Sequence, residues 1–332
     1  MKKVDLRKFI SANPTMRCED ISNKTKYSPS HVRGVRASLG LPPFRKGDDL
    51  SPVSIKPTPV DKTDKELMKI FGKMSKEEKA LILKGMGKDS KIKAHDHTWS
   101  SNHIRFGYFS DSHMGHNKFS EELWWKMVSF FKKEKITTVY SPGDIVEGMS
   151  GRPGHIYELD HIGFDAQVNY AAKLINACPF QIYSIVGNHD LWYKEKFNMN
   201  AGVGEVLQDK CENFHFLGEW EADVILAPNV KMKIFHANDG SAYALSYKIQ
   251  KLIESFTGGE KPSIVLSGHY HKQIQVFLRN VFGFECGTLC GQSIFMRGKK
   301  ISAHMGFGVI DIWVNKDGIE RLRHEFIPHF EK

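Results

Sequence analysis

Seven residues able to ligate a metal stand directly after short apolar runs: Asp111, His113, Asp144, Asn188, His236, His269 and His271. The run Ile104 to Phe109 stops at Asp111 and His113, two residues apart. Gly143-Asp144, Gly187-Asn188-His189-Asp190, His236 and Gly268-His269-Tyr270-His271 each follow another such run. Strands ending on one edge of a sheet deliver their loops to one crevice, so side chains remote in sequence converge there. Mixed oxygen and imidazole donors suit manganese, iron, zinc or nickel better than calcium or magnesium, which prefer oxygen alone. The set is too large for one tetrahedral ion and predicts two. Two ions roughly 3.5–4 Å apart suit in-line displacement at phosphorus.

The block order D-x-H, G-D, G-N-H-D, H, G-H-x-H resembles the calcineurin-like metallophosphoesterase superfamily, from about Ile104 to the C-terminus. The resemblance implies an α/β fold, a layered α/β/β/α sandwich. It also implies two divalent ions, manganese first, with iron, zinc or nickel as alternatives. Asp111, His113, Asp144 and His271 would hold one ion, and Asp144, Asn188, His236 and His269 the other, with Asp144 as the bridge. His189 matches the family's non-ligand histidine, placed to protonate the leaving oxygen after attack by a metal-activated water, and Asp190 is the acid expected to orient it. His236 is preferred over His215 and His304 because it follows a strand directly and keeps the block order.

These blocks need a sheet domain to position them, and the chain has room for it. A length of 332 residues, 41% hydrophobic and 26% charged, describes a large α/β domain with a small module attached. No apolar run reaches the roughly 18 residues of a bilayer span, and Met1-Lys2-Lys3 is not followed by a signal-type core, so a cytoplasmic protein without membrane contact is expected. Five cysteines form no disulfide framework at this size. From Ile104 onward, strands interleaved with helices give way to a strand-rich end.

The charge is concentrated. Residues 1–46 carry eleven Lys or Arg against three Asp or Glu, eight of the nine net positive charges of the chain. A localised basic excess is the usual footprint of a nucleic-acid binder. Val4 to Ile10, a segment carrying Ile21, and a third opened by Ser28-Pro29 and running to Leu39 read as three short helices. Ile21, Val32 and Val35 have the spacing of helix-turn-helix domains, which this stretch resembles, although Lys26 stands where glycine is often found. Arg33 and Arg36 are the residues expected to meet DNA. A protein-docking three-helix bundle is the alternative.

The domains expected are therefore a helix-turn-helix-like module at 1–45, a linker at 46–100 containing a helical hairpin opened by the capping boxes at Thr63 and Ser75, and the metallophosphoesterase domain at 101–332. Residues 150 to 161 and 191 to 197 flank the metal loops and mix aromatic with basic side chains, as single-stranded nucleic acid prefers. The function expected is two-metal hydrolysis of phosphodiester bonds, with DNA as partner and the repair-nuclease branch as the nearest likeness. Self-association or a partner ATPase is compatible with it. So are a small-molecule phosphomonoesterase, a cyclic-nucleotide phosphodiesterase, and a DNA-binding regulator with a vestigial hydrolase domain.

Overall fold

The structure is a computed structural model that describes residues 5–12, 16, 18–39, 94–197, 202–257, 259 and 261–330. The chain divides into two compact units, Met1–Lys88 and Asp89–Lys332. The hairpin expected between Thr63 and Gly85, and the helix-punctuating Asn13, Pro14 and Thr15, lie outside the described residues. No described helix is long and apolar enough to cross a membrane. All five cysteines are buried.

In the first unit, α1 (Leu6–Ala12), α2 (Cys18–Thr25) and α3 (Pro29–Ser38) close on Leu6, Ile10, Cys18, Ile21 and Val32. Between α2 and α3, Lys26 adopts φ 62°, the left-handed conformation a glycine would take without strain. Ser22 Oγ donates to Tyr27 O at 2.6 Å and fastens that turn. One expectation needs correcting. Arg36 is not a surface residue: it is fully buried, and Nη1 donates to Met16 O at 3.1 Å. A guanidinium on the inner face of α3 binds the module's own backbone, so of the two arginines only Arg33 is exposed.

The second unit is built on two six-stranded sheets, in the order β12-β11-β2-β3-β4-β5 and β1-β6-β7-β8-β10-β9. The first contains β2 (His103–Tyr108), β3 (Thr138–Ser141), β4 (Gln181–Val186), β5 (Phe214–Glu219), β11 (Gly306–Asn315) and β12 (Gly318–Pro328). The second contains β1 (Ala94–Asp96), β6 (Glu221–Ala227), β7 (Val230–His236), β8 (Ile264–Gly268), β9 (Gln273–Leu278) and β10 (Val281–Cys286). Residues 94–96, expected to be linker, are the edge strand of this sheet, paired in parallel with β6.

The sheets face each other across Ile104, Phe106 and Tyr108 of β2 and Val224, Met232, Ile234 and Leu266 of the opposing sheet. On β2 the alternation places every second side chain in that layer. The outer face of the first sheet packs on α4 (Glu121–Lys133) and α5 (Phe164–Asn176) through Trp124, Phe131, Val168 and Ile175. Ser120 caps α4 by accepting from Leu123 N, and Glu121 and Lys133 complement its dipole. Each large side chain sealed in these layers contributes roughly 1.5–3 kcal/mol. A further helix, Tyr247–Ser255, covers the second sheet with Ile249 and Ile253. The result is the expected α/β/β/α sandwich.

Strands β2, β3 and β4 are mutually parallel, as are β7 and β8. Their C-terminal ends carry all the ligand-type blocks.

Candidate metal centre

Asp111 and His113 follow β2, Asp144 follows β3, Asn188 begins the helix Asn188–Phe197 after β4, His236 ends β7, and His269 and His271 follow β8. Holding seven side chains on one point strains the backbone. Asp111, His113, Asp144, His269 and His271 all have positive φ, between 49° and 85°. A non-glycine residue in that region costs roughly 1–3 kcal/mol, and such outliers cluster where function requires them. The loops tolerate no side chain where they cross. A Cβ on Gly187 would lie 2.6 Å from His236 Nε2, and one on Gly268 would lie 2.7 Å from Ser110 Oγ.

Three overlapping groups result: Asp111 with His113 and His271, Asp144 with His236 and His269, and His113 with Asp144 and His189. His113 Nε2 lies 2.9 Å from His271 Nε2, and His271 Nε2 lies 3.4 Å from Asp111 Oδ1. In the second group His236 Nε2 is 3.2 Å from Asp144 Oδ2 and 3.1 Å from Asn188 Oδ1, while His269 Nδ1 is 3.0 Å from Asn188 Oδ1. Asp144 stands between the groups, its Oδ2 also 3.8 Å from His113 Nε2.

The donor set fits a cation. His236 Nδ1 faces Pro142 O at 2.6 Å and His269 Nε2 faces Asp239 O at 2.7 Å. A carbonyl only accepts, so each ring commits its hydrogen there and turns a lone pair toward Asp144 and Asn188. Acceptors converging without a hydrogen between them need positive charge at their centre. Burial disfavours a charged His236, yet Asp144 outweighs it and pushes this imidazole up to about 9.

His189 lines the same cavity but is held from behind. Its Nδ1 donates to Glu147 O at 2.8 Å and lies 3.3 Å from Glu147 Oε2, its backbone N–H donates to Asp144 Oδ1 at 2.9 Å, and its ring lies on Trp192 with centroids 3.9 Å apart. Burial works against the imidazolium, but Glu147 and Asp144 prevail and push His189 up to about 10.

Asp190 does not orient His189. Its carboxylate accepts from Ile145 N, Val146 N and Gly187 N, at 3.2, 2.9 and 3.0 Å. From the first turn of its helix the side chain points back under the Gly143–Glu147 loop, where it ties two ligand loops together. Burial and the charge of Asp144 push it up to about 6 against the pull of those N–H groups.

The partner of His189 is Glu147, which sequence reasoning passed over. Its carboxylate also accepts from His113 Nδ1 and from His155 Nε2, each at 2.7 Å. The available signal is an acid three residues past Asp144, directly after the apolar pair Ile145-Val146. Gln167, fully buried, exchanges hydrogen bonds with Gly148 N and O and so fixes the end of this loop. Of the alternatives to His236, His215 stacks on Tyr183 and bonds Gln181, and His304 accepts from Gln273 N; neither belongs to the metal-ligating groups among the described residues.

The centre opens into a cavity of about 650 Å³ whose walls include Trp192, Arg152, Phe295 and Lys299. Lys196 Nζ lies 4.0 Å from the Trp192 ring centroid, and Arg152 lies 5.2 Å from that of Phe295.

A curated relative, the DNA polymerase II small subunit of Archaeoglobus fulgidus, is 25% identical over 259 residues, 65% of this chain and 52% of that protein. The chain thus spans about half the length of that relative. Among solved structures, an archaeal phosphodiesterase aligns over 68% of this chain and 100% of its own at 18% identity, with a TM-score of 0.40. Vacuolar protein sorting 29 from Cryptosporidium parvum aligns over 68% and 99% at 12% identity, with a TM-score of 0.38. The model of the calcineurin-like phosphoesterase family matches residues 104–273. A match running from the first ligand-bearing strand through the last ligand loop, over half of the chain, makes this protein a member of the calcineurin-like phosphoesterase family.

Proposed function

We propose that the protein hydrolyses phosphodiester bonds in nucleic acid with two divalent ions, manganese first among them. Asp111, His113, Asp144 and His271 would hold one ion; Asp144, Asn188, His236 and His269 would hold the other. The observation that carries the substrate class is the cavity wall: Trp192 and Phe295, each with a cation over its ring, line the same cavity as His189. Aromatic faces interleaved with cations suit bases joined by phosphates. The name of the Archaeoglobus relative, a DNA polymerase subunit, supports the same class.

When bound, the ions supply Lewis acidity and positive charge at the phosphoryl group. The protein supplies the proton and the alignment. Water attacks phosphorus in line, an oxygen–phosphorus bond forms as the opposite one breaks, and His189 delivers its proton to the departing oxygen. Glu147, hydrogen-bonded behind His189, favours its protonated form and fixes the ring.

The test is manganese-dependent hydrolysis of labelled single- and double-stranded DNA beside a small phosphomonoester, with Asp144→Ala as the blank. Cleavage of DNA that vanishes in the variant is expected. Turnover of the monoester alone would overturn the nuclease reading.

A further inference from the structure

Beyond the metal centre the cleft continues. A second cavity of about 270 Å³ adjoins the first, and His116, Glu158 and Ser293 border both. Its remaining wall includes Lys118 and Arg297. These cations come from segments held together by backbone: Gly291 N donates to Lys118 O at 2.8 Å, and Phe119 pairs with Cys290. The carboxylate at the border does not neutralise them. Glu158 accepts from Arg152 at 2.8 Å and lies 3.4 Å from His116 Nε2, and among the described residues neither Lys118 nor Arg297 has a carboxylate partner. Phe295, half exposed, stands in the first cavity two residues before Arg297.

Two cations lining a polar hollow suit a phosphate, and an aromatic face in the adjoining cavity suits a base. Resting on the phosphodiesterase reading above, we propose that this second cavity is a phosphate subsite. Lys118 and Arg297 bind the backbone phosphate of an oligonucleotide next to the one being hydrolysed, with the intervening base against Phe295. The substrate is then a strand of at least two phosphodiesters, and a lone diester leaves the subsite empty.

The experiment compares d(TpT), with one phosphodiester, against d(TpTpTpT), both with the manganese-loaded full chain. The wild type should prefer the tetranucleotide by about tenfold or more in kcat/KM, the worth of one charged contact. Lys118→Gln with Arg297→Gln should abolish that preference, flatten its salt dependence and leave d(TpT) turnover unchanged. The charge-retaining pair Lys118→Arg and Arg297→Lys should restore it, which separates the subsite from a folding defect. Preference surviving in the neutral pair, or no preference in the wild type, overturns the subsite and leaves the nuclease reading standing. Hydrolysis of p-nitrophenyl phosphate with neither nucleotide cleaved overturns both.

Discussion

The carboxylate of Glu147 accepts the Nδ1–H of His113 at 2.7 Å, and with its other oxygen and its own carbonyl it engages His155 and His189. A single buried acid thus sets the tautomer of a candidate metal ligand and the charge of the candidate proton donor. Partners of this kind typically cost 10–100-fold in metal affinity or activity when removed. Glu147→Gln should lower both kcat and metal affinity by roughly that factor, read from steady-state kinetics and metal titration. Unchanged values for both would remove Glu147 from the site's chemistry.

His189→Ala should lower kcat by about 10²–10⁴-fold, the usual worth of a positioned general acid, and leave metal content unchanged. Metal analysis of the dialysed protein beside kinetics separates this from a ligand role. Loss of an ion would make His189 a ligand, in line with its place beside His113 and Asp144.

Gly187→Ala should abolish activity and metal binding without unfolding the chain. The added methyl would meet Asp144 and His236 in the centre, whereas the sandwich cores lie elsewhere. Circular dichroism with metal analysis tests it; an active, metal-replete variant would show that the loops can separate.

Glu285 is buried on β10, and neither of its oxygens has a side-chain partner. Burial pushes this carboxyl up to about 7 from the ordinary 4.5. A folded-state value above the unfolded one means that the native state must retain a proton which the unfolded chain sheds. The penalty is absent below pH 4.5, grows as pH rises to about 7, and is constant above. Glu285→Gln should therefore gain stability over the wild type between pH 5 and pH 8, by an amount on the order of 1–3 kcal/mol. Thermal melts at the two values decide; a difference independent of pH would refute it.

Arg33 and Arg36 should separate in the N-terminal module. Arg36→Ala leaves Met16 O without its donor and opens a space in a small core, which costs about 1–3 kcal/mol. Arg33→Ala, on the exposed face, should keep the fold and weaken salt-sensitive DNA binding. Hydrogen exchange over residues 5–39 and gel shifts of the full chain read the two effects. Equal loss of fold in both variants would defeat the distinction.

The strands and the residues at their ends are legible in the local pattern of the chain. Ile104 to Tyr108, Gln181 to Val186 and Ile264 to Gly268 alternate or run apolar because both faces of their sheets are covered, and each stops at a polar block because the crevice begins there. How side chains of one charge type divide the work depends instead on the packed fold. Asp190 and Glu147 both adjoin a ligand block, yet the helix start at Asn188 turns Asp190 back onto backbone N–H groups, and the loop from Asp144 brings Glu147 behind His113 and His189. The helix Asn188–Phe197 lacks a helical apolar period because Leu191 and Tyr193 pack inward while Trp192, between them, lines the cavity. Arg36 was unreadable for the opposite reason: a cation on a helix face signals solvent until a carbonyl, brought from twenty residues away, satisfies it inside. Local pattern reports which backbone an element prefers, but the partner of a polar group is set by which loops the packed layers bring together.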